Sequence, residues 1–158
     1  MRVIGQHKMK TAYIMIGIQG SGKSEFCRRF LPDAERINLD TLKTKSKEKR
    51  MLADCHVRNA DYVVDNTNPT RDDRARYIPV AKAAGYRVIG YFMQSRLHDC
   101  IARNNQREGK EVIPARAIAM TSKKLEMPSK AEGFDELYFV ANDGTEMIIS
   151  EWREYDEL

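Results

Sequence analysis

The stretch that most constrains this chain is Gly17-Ile18-Gln19-Gly20-Ser21-Gly22-Lys23-Ser24, preceded by the apolar run Tyr13-Ile14-Met15-Ile16 and followed by Glu25 to Phe30. The order reads strand, glycine-rich turn, helix. Glycines adopt positive φ without a Cβ penalty, so a turn of this kind can aim several successive backbone N–H groups at one anion. The helix opening at Lys23 adds its own unpaired N–H groups and the positive end of its dipole at the same point. The pattern predicts a phosphate-binding loop: Gly17, Gly20, Ser21 and Gly22 cradle the phosphates, Lys23 neutralises the β- and γ-phosphates, and Ser24 offers its hydroxyl to Mg²⁺. A glycine-rich turn without a ligand does not explain why lysine and serine follow directly.

With 158 residues, 42% hydrophobic and 32% charged, the chain is expected to form one domain with a real core, and one site must do everything. No stretch approaches the length of a bilayer span. Met1 to Lys10 is a basic leader without an apolar segment, so it does not read as a secretory signal, and a cytoplasmic protein is expected. Cys27, Cys55 and Cys100 are an odd number without ligand spacing and read as reduced and structural. The net charge of +4 suits a polyanionic partner but equally a solvated surface.

Beyond the loop, strands alternate with helices. Glu35 to Asn38 predicts a second strand with Asp40 at its carboxyl end, and Thr41 to about Asn59 an exposed, basic helix. Tyr62-Val63-Val64-Asp65 is the next strand. Asn68 is expected to cap a helix that starts at Pro69 and runs through Ala83 to a stop at Gly85. Arg87 to Met93 is apolar on both faces, as a buried parallel strand should be. A helix over 97–107 leads through Gly109 to another from Pro114 to about Leu125, and the segment of about 103–114 is expected to form a lid. Glu136 to Val140 is a last core strand, with an edge strand over 146–150 and Trp152 packing there. The expected class is therefore α/β: a parallel sheet of about five strands, helices on both faces and a helical lid. Ligands of such sheets gather beyond the carboxyl ends of the strands, which aligns the glycine loop, Asp40 and the Asp65–Asn68 turn along one rim.

A phosphate cradle does not say what becomes of the phosphate, so the carboxylates on the rim decide. Asp40 is either the base that takes an acceptor's proton or the N-cap of the following helix. Asp65 is either a magnesium ligand or a holder of the acceptor hydroxyl. Arg103 and Arg107, four apart, share one helix face from which they can neutralise charge developing on the triphosphate. Lys43, Arg71, Arg74 and Arg76 flank the acceptor side, where the phosphates of a nucleic acid would want cations.

The chain resembles the kinase domain of polynucleotide 5′-kinases, above all the kinase half of polynucleotide kinase/phosphatase enzymes, within the P-loop kinases. The resemblance rests on Gly17–Ser24, Ile37-Asn38-Leu39-Asp40-Thr41-Leu42, Asp65-Asn66-Thr67-Asn68-Pro69, Arg74-Ala75-Arg76-Tyr77, Asn104-Asn105-Gln106-Arg107-Glu108 and Glu132-Gly133-Phe134, in this order, over about residues 12–140. It implies transfer of the γ-phosphate of ATP or another nucleoside triphosphate, with Mg²⁺, to a 5′-hydroxyl end. It also implies Asp40 as base, Arg103 and Arg107 in the lid, and Asp65, Asn66 and Thr67 in acceptor binding. Leu39, where the family usually carries arginine, and Lys43 depart from the pattern and put the acceptor contacts in doubt. A small-molecule kinase of the same fold and a nucleotide-dependent switch module without an acceptor are the alternatives.

Overall fold

The computed structural model describes residues 9–109 and 112–154. The basic leader, apart from its last two residues, and positions 110–111 of the expected lid lie outside the described residues. The chain runs β1 (Thr11–Ile16), α1 (Lys23–Phe30), β2 (Glu35–Ile37), α2 (Leu39–Leu42), α3 (Lys45–Arg58), β3 (Tyr62–Val64), α4 (Arg71–Ala75), α5 (Ile78–Ala83), β4 (Arg87–Met93), α6 (Leu97–Asn104), α7 (Ala115–Lys124), β5 (Glu136–Asn142) and β6 (Met147–Glu151). The strands form one six-stranded sheet in the order β2-β3-β1-β4-β5-β6. The first five are parallel and β6 runs antiparallel to β5 at the edge.

The alternation of β1 explains its central place. Ala12, Ile14 and Ile16 pack on one face with Tyr62, Val64, Ile78 and Ala81. Met15 packs on the other with Phe26, Val63, Met93 and Val140. A strand buried on both faces needs helices on both, and α1 and α5 supply them. The chain places β2 and β3 on one side of β1 and then crosses to β4 on the other, so the strand order reverses beside the carboxyl end of β1. A crevice opens at such a reversal, and Gly17 begins there.

Several boundaries differ from the sequence expectation. Asp40 does not end a strand: β2 stops at Ile37, and Asp40 lies in the one-turn helix α2. The expected helix over 41–59 is broken at Lys43, whose φ of 78° stops α2, and restarts at the Thr44 cap. Asn68 caps nothing; it is buried with φ 46° and donates to the Met15 carbonyl at 2.7 Å, while Thr70 caps α4 through a capping box with Asp73. That helix in turn breaks before Ile78. The α6 helix ends at Asn104, short of Arg107. Trp152 packs against Phe92 and Phe139 beside the edge strand, as expected. All three cysteines are buried and free, and burial pushes the Cys27 thiol up to about 12 and Cys55 up to about 11.

Candidate active site

The glycine loop is shaped by bonds from four sides. The Gly17 N–H donates to the Thr67 carbonyl at 3.0 Å, joining the loop to the Asp65–Asn68 turn. The Ile18 N–H donates to Ser95 Oγ at 3.1 Å, Arg103 Nε donates to the Gly20 carbonyl at 2.8 Å, and Asn142 Nδ2 donates to the Ser21 carbonyl at 3.0 Å. Two glycines are required by geometry. A Cβ on Gly20, at φ 84°, would meet the Cys100 carbonyl oxygen at 2.2 Å, and one on Gly22, at φ 99°, would meet Asn142 Nδ2 at 2.6 Å. Ser21 is buried, with its carbonyl turned to Asn142.

Lys23 folds back over the loop, its ammonium donating to the carbonyls of Gly17 at 2.9 Å and Ile18 at 3.0 Å. The residue keeps some solvent contact, but its charge lies deep in the cleft, and burial lowers its pKa to about 8 against the pull of the Asp65 carboxylate. Ser24 Oγ donates to Asp65 Oδ2 at 3.0 Å. Arg36 reaches the same two groups, with Nε on Asp65 Oδ2 at 2.6 Å and Nη2 on Ser24 Oγ at 3.0 Å. Asp65 is 2% exposed, and its carboxylate lies beside Ser24 on the loop side of the cleft.

The opposite wall is built from Asn38, α2 and the turn after β3. Asn38 Oδ1 accepts from the Thr41 N–H at 3.0 Å and its Nδ2 donates to the Asp65 carbonyl at 2.6 Å. Asn38 is therefore the cap of α2, which removes the capping role from Asp40 and leaves that carboxylate exposed to the cleft. Lys23, Ser24, Arg36, Asp40, Asp65 and Arg107 line one cleft of about 340 Å³, together with Asn66, Thr67 and Gly22. Residues as far apart in sequence as Gly22 and Arg107 thus meet at the reversal of strand order.

Other residues singled out from the sequence lie elsewhere. Arg103 donates to the Gly20 carbonyl and so braces the loop, while Arg107, beyond the end of α6, lines the cleft. Lys43 is exposed at the end of α2, and Arg71 is exposed at the start of α4, its N–H donating to Glu126 at 2.7 Å. Neither lines the cleft. Arg74 does not face an acceptor at all: it is 0% exposed, pairs with both oxygens of Glu132 at 2.8 and 3.1 Å, and donates to the Asn68 carbonyl at 2.9 Å. Arg76 pairs with Glu48 at 3.1 Å.

Three participants were missed from sequence. Arg36, in a three-residue strand, carries no motif. Asn142 stands at the end of β5 with nothing local to mark it. Glu48 does carry a signal: it shares a helical stripe with Met51, Leu52 and Cys55, which points inward, and it is 1% exposed.

The AAA domain family model matches residues 49–128 of the chain. A bifunctional polynucleotide phosphatase/kinase from Schizosaccharomyces pombe is 29% identical over 128 residues, 77% of this chain and 31% of that protein. A gluconokinase from Sinorhizobium meliloti superposes with a TM-score of 0.58 at 18% identity, covering 85% of this chain and 84% of that one. Kti12 from Chaetomium thermophilum, in complex with ADP-AlF3, superposes with a TM-score of 0.65 at 16% identity, covering 86% and 92%. The chain spans less than a third of the length of the curated relatives it matches. The fold is that of the P-loop kinases, and the similarity to polynucleotide kinases extends beyond the short motifs.

Proposed function

Since the chain belongs to the AAA domain family, we propose that it is a P-loop kinase that transfers the γ-phosphate of ATP to the 5′-hydroxyl end of a polynucleotide. The observation that carries this reading is the convergence of the phosphate loop, Asp40 and Arg107 on one cleft. Its polynucleotide half is supported by the similarity to the fission-yeast phosphatase/kinase and by the Asn38–Asp40 and Asn66–Thr67 segments that line the cleft opposite the glycine loop.

In this mechanism the loop N–H groups and Lys23 hold the triphosphate, and positioning with charge neutralisation does most of the work. Ser24 and Asp65 would hold Mg²⁺. They are hard oxygen donors 3.0 Å apart, and the positive Arg36 guanidinium on both supports a pair suited to a cation. When bound, the metal supplies neutralisation of the phosphate oxygens. Asp40 takes the proton of the acceptor hydroxyl as the new O–P bond forms and the bond to the departing ADP breaks. Arg107 neutralises charge that develops on the transferring group. Asn66 and Thr67 orient the acceptor end. Lys43 and Arg71, outside the cleft, are left for strand phosphates beyond the first nucleotide.

The test is incubation with γ-labelled ATP, Mg²⁺ and a 5′-hydroxyl oligonucleotide, with a 5′-phosphorylated oligonucleotide as control. Label on the first alone is expected. Label only on a small alcohol such as gluconate, or nucleotide binding with no transfer, would overturn the reading. Asp40→Asn is expected to lower kcat by about 10²-fold or more while ATP affinity stays the same; undiminished transfer would remove Asp40 as base.

A further inference from the structure

Asp40 owes its place to a helix that cannot hold itself. α2 is one turn of four residues, and a single turn fixes many dihedrals for very few hydrogen bonds, so it has no intrinsic stability. Two side chains supply what the turn lacks. Asn38 takes the Thr41 N–H, and Asn66, from the turn after β3, takes the Leu39 N–H on its Oδ1 at 2.9 Å. Leu39 is the residue directly before Asp40.

Asn66 can do this only if its amide is oriented with oxygen toward Leu39 and nitrogen away. The two ends of an Asn amide are nearly equal in shape, and only partners decide which way it points. The nitrogen end has two partners: Glu48, whose Oε2 accepts from Asn66 Nδ2 at 3.0 Å, and the Tyr77 hydroxyl, itself held by Glu48, which accepts at 3.3 Å. The Glu48 carboxylate pairs with Arg76 at 3.1 Å and lies 3.0 Å from the Tyr77 hydroxyl. Burial and this carboxylate push the Tyr77 hydroxyl above its ordinary pKa, so it remains a donor toward Glu48. An ionised carboxylate has no proton to give, so it forces the Asn66 nitrogen toward itself and the Asn66 oxygen toward the peptide beside Asp40.

We propose that Glu48 is a positioning residue for phosphoryl transfer: buried in α3, it locks the Asn66 amide and through it the α2 turn that carries Asp40. Glu48 touches neither donor nor acceptor. The proposal rests on the reading of Asp40 as the base. Glu48→Gln nearly preserves volume but gives the position a donor as well as an acceptor, so the carboxylate no longer compels the Asn66 nitrogen toward itself and the bond from the Leu39 N–H to Asn66 is weakened.

The experiment combines kinetics and hydrogen exchange on the full chain. Glu48→Gln is expected to lower kcat at least about tenfold, as expected for a displaced reacting group, with the Kd for ATP unchanged and amide exchange over 38–43 accelerated. In an Asp40→Asn background, Glu48→Gln should cost nothing further, because the two act as one unit. A loss that multiplies with that of Asp40→Asn, or unchanged exchange over 38–43, would overturn the proposal. Should Glu48→Gln not fold, Glu48→Asp, which keeps the charge for Arg76 but withdraws the oxygen from Asn66, carries the same comparison. If the native chain transfers no phosphate at all, the functional reading fails, and the exchange arm still decides whether Glu48 orders α2.

Discussion

Burial lowers the pKa of the Lys23 ammonium to about 8. In the free protein a sizeable fraction is therefore neutral near that pH, and bound phosphates, by favouring the ammonium, raise the value. Nucleotide binding should take up protons in the window from about pH 8 upward, and affinity should fall as the pH rises through it. Calorimetry at pH 8 in Tris and in HEPES should register an uptake of about half a proton; equal observed heats in the two buffers, before any correction for buffer ionisation, would contradict it. Arg36 makes a second residue-level case. Its side chain is 42% exposed while that of Asp65 is 2% exposed, so removing Arg36 strands a buried carboxylate beside the Ser24 hydroxyl. Arg36→Ala should cost about 1 kcal/mol, the exposed partner discounting the value of a fully buried pair. Melting in EDTA should show a Tm a few degrees lower, and Mg²⁺ should restore much of it. Equal deficits with and without the metal would argue that Ser24 and Asp65 are not its place.

At the scale of elements, what could be read from sequence was what is local. The glycine loop declares itself because its glycines, lysine and serine act within eight positions, and β1 and β4 because a strand buried on both faces must be apolar throughout. Arg74 misleads for the opposite reason. An arginine near a turn reads as a surface cation, and its partner Glu132 lies 58 positions away, beyond any periodicity. With that pair buried beneath α4, Arg74→Met should destabilise the fold by about 3 kcal/mol, the cost of leaving Glu132 without its cation and the Asn68 carbonyl without a donor. Urea unfolding would measure it. At temperatures where the variant stays folded, its KM for the acceptor should match the native value, whereas a selective rise in that KM would restore Arg74 to the acceptor site. Asn68 was misread likewise: its bond to Met15 crosses from β1 to the turn, and that bond, rather than helix capping, places it there.

For the molecule as a whole, a net charge of +4 gains meaning only with an acceptor in view. A polynucleotide releases counterions when lysines and arginines meet its phosphates, so the KM for a 5′-hydroxyl oligonucleotide should rise steeply with salt. For a small uncharged alcohol it should stay nearly flat. Titrating KM against KCl at saturating ATP separates the two, and a flat profile for the oligonucleotide would count against a strand-binding face. The topology adds a consequence of its own. In a trans peptide the carbonyl and the following amide hydrogen point in opposite directions, and no bond among the described residues is cis. Asn142, at the tip of β5, draws the Ser21 oxygen toward itself across 121 positions of chain. The Gly22 hydrogen is thereby turned the other way, so the electrical sign of the cradle is imposed by a side chain that no signature of the loop contains. Asn142→Ala is therefore expected to weaken ATP binding while every glycine stays in place, and an unchanged affinity in a nucleotide titration would contradict it.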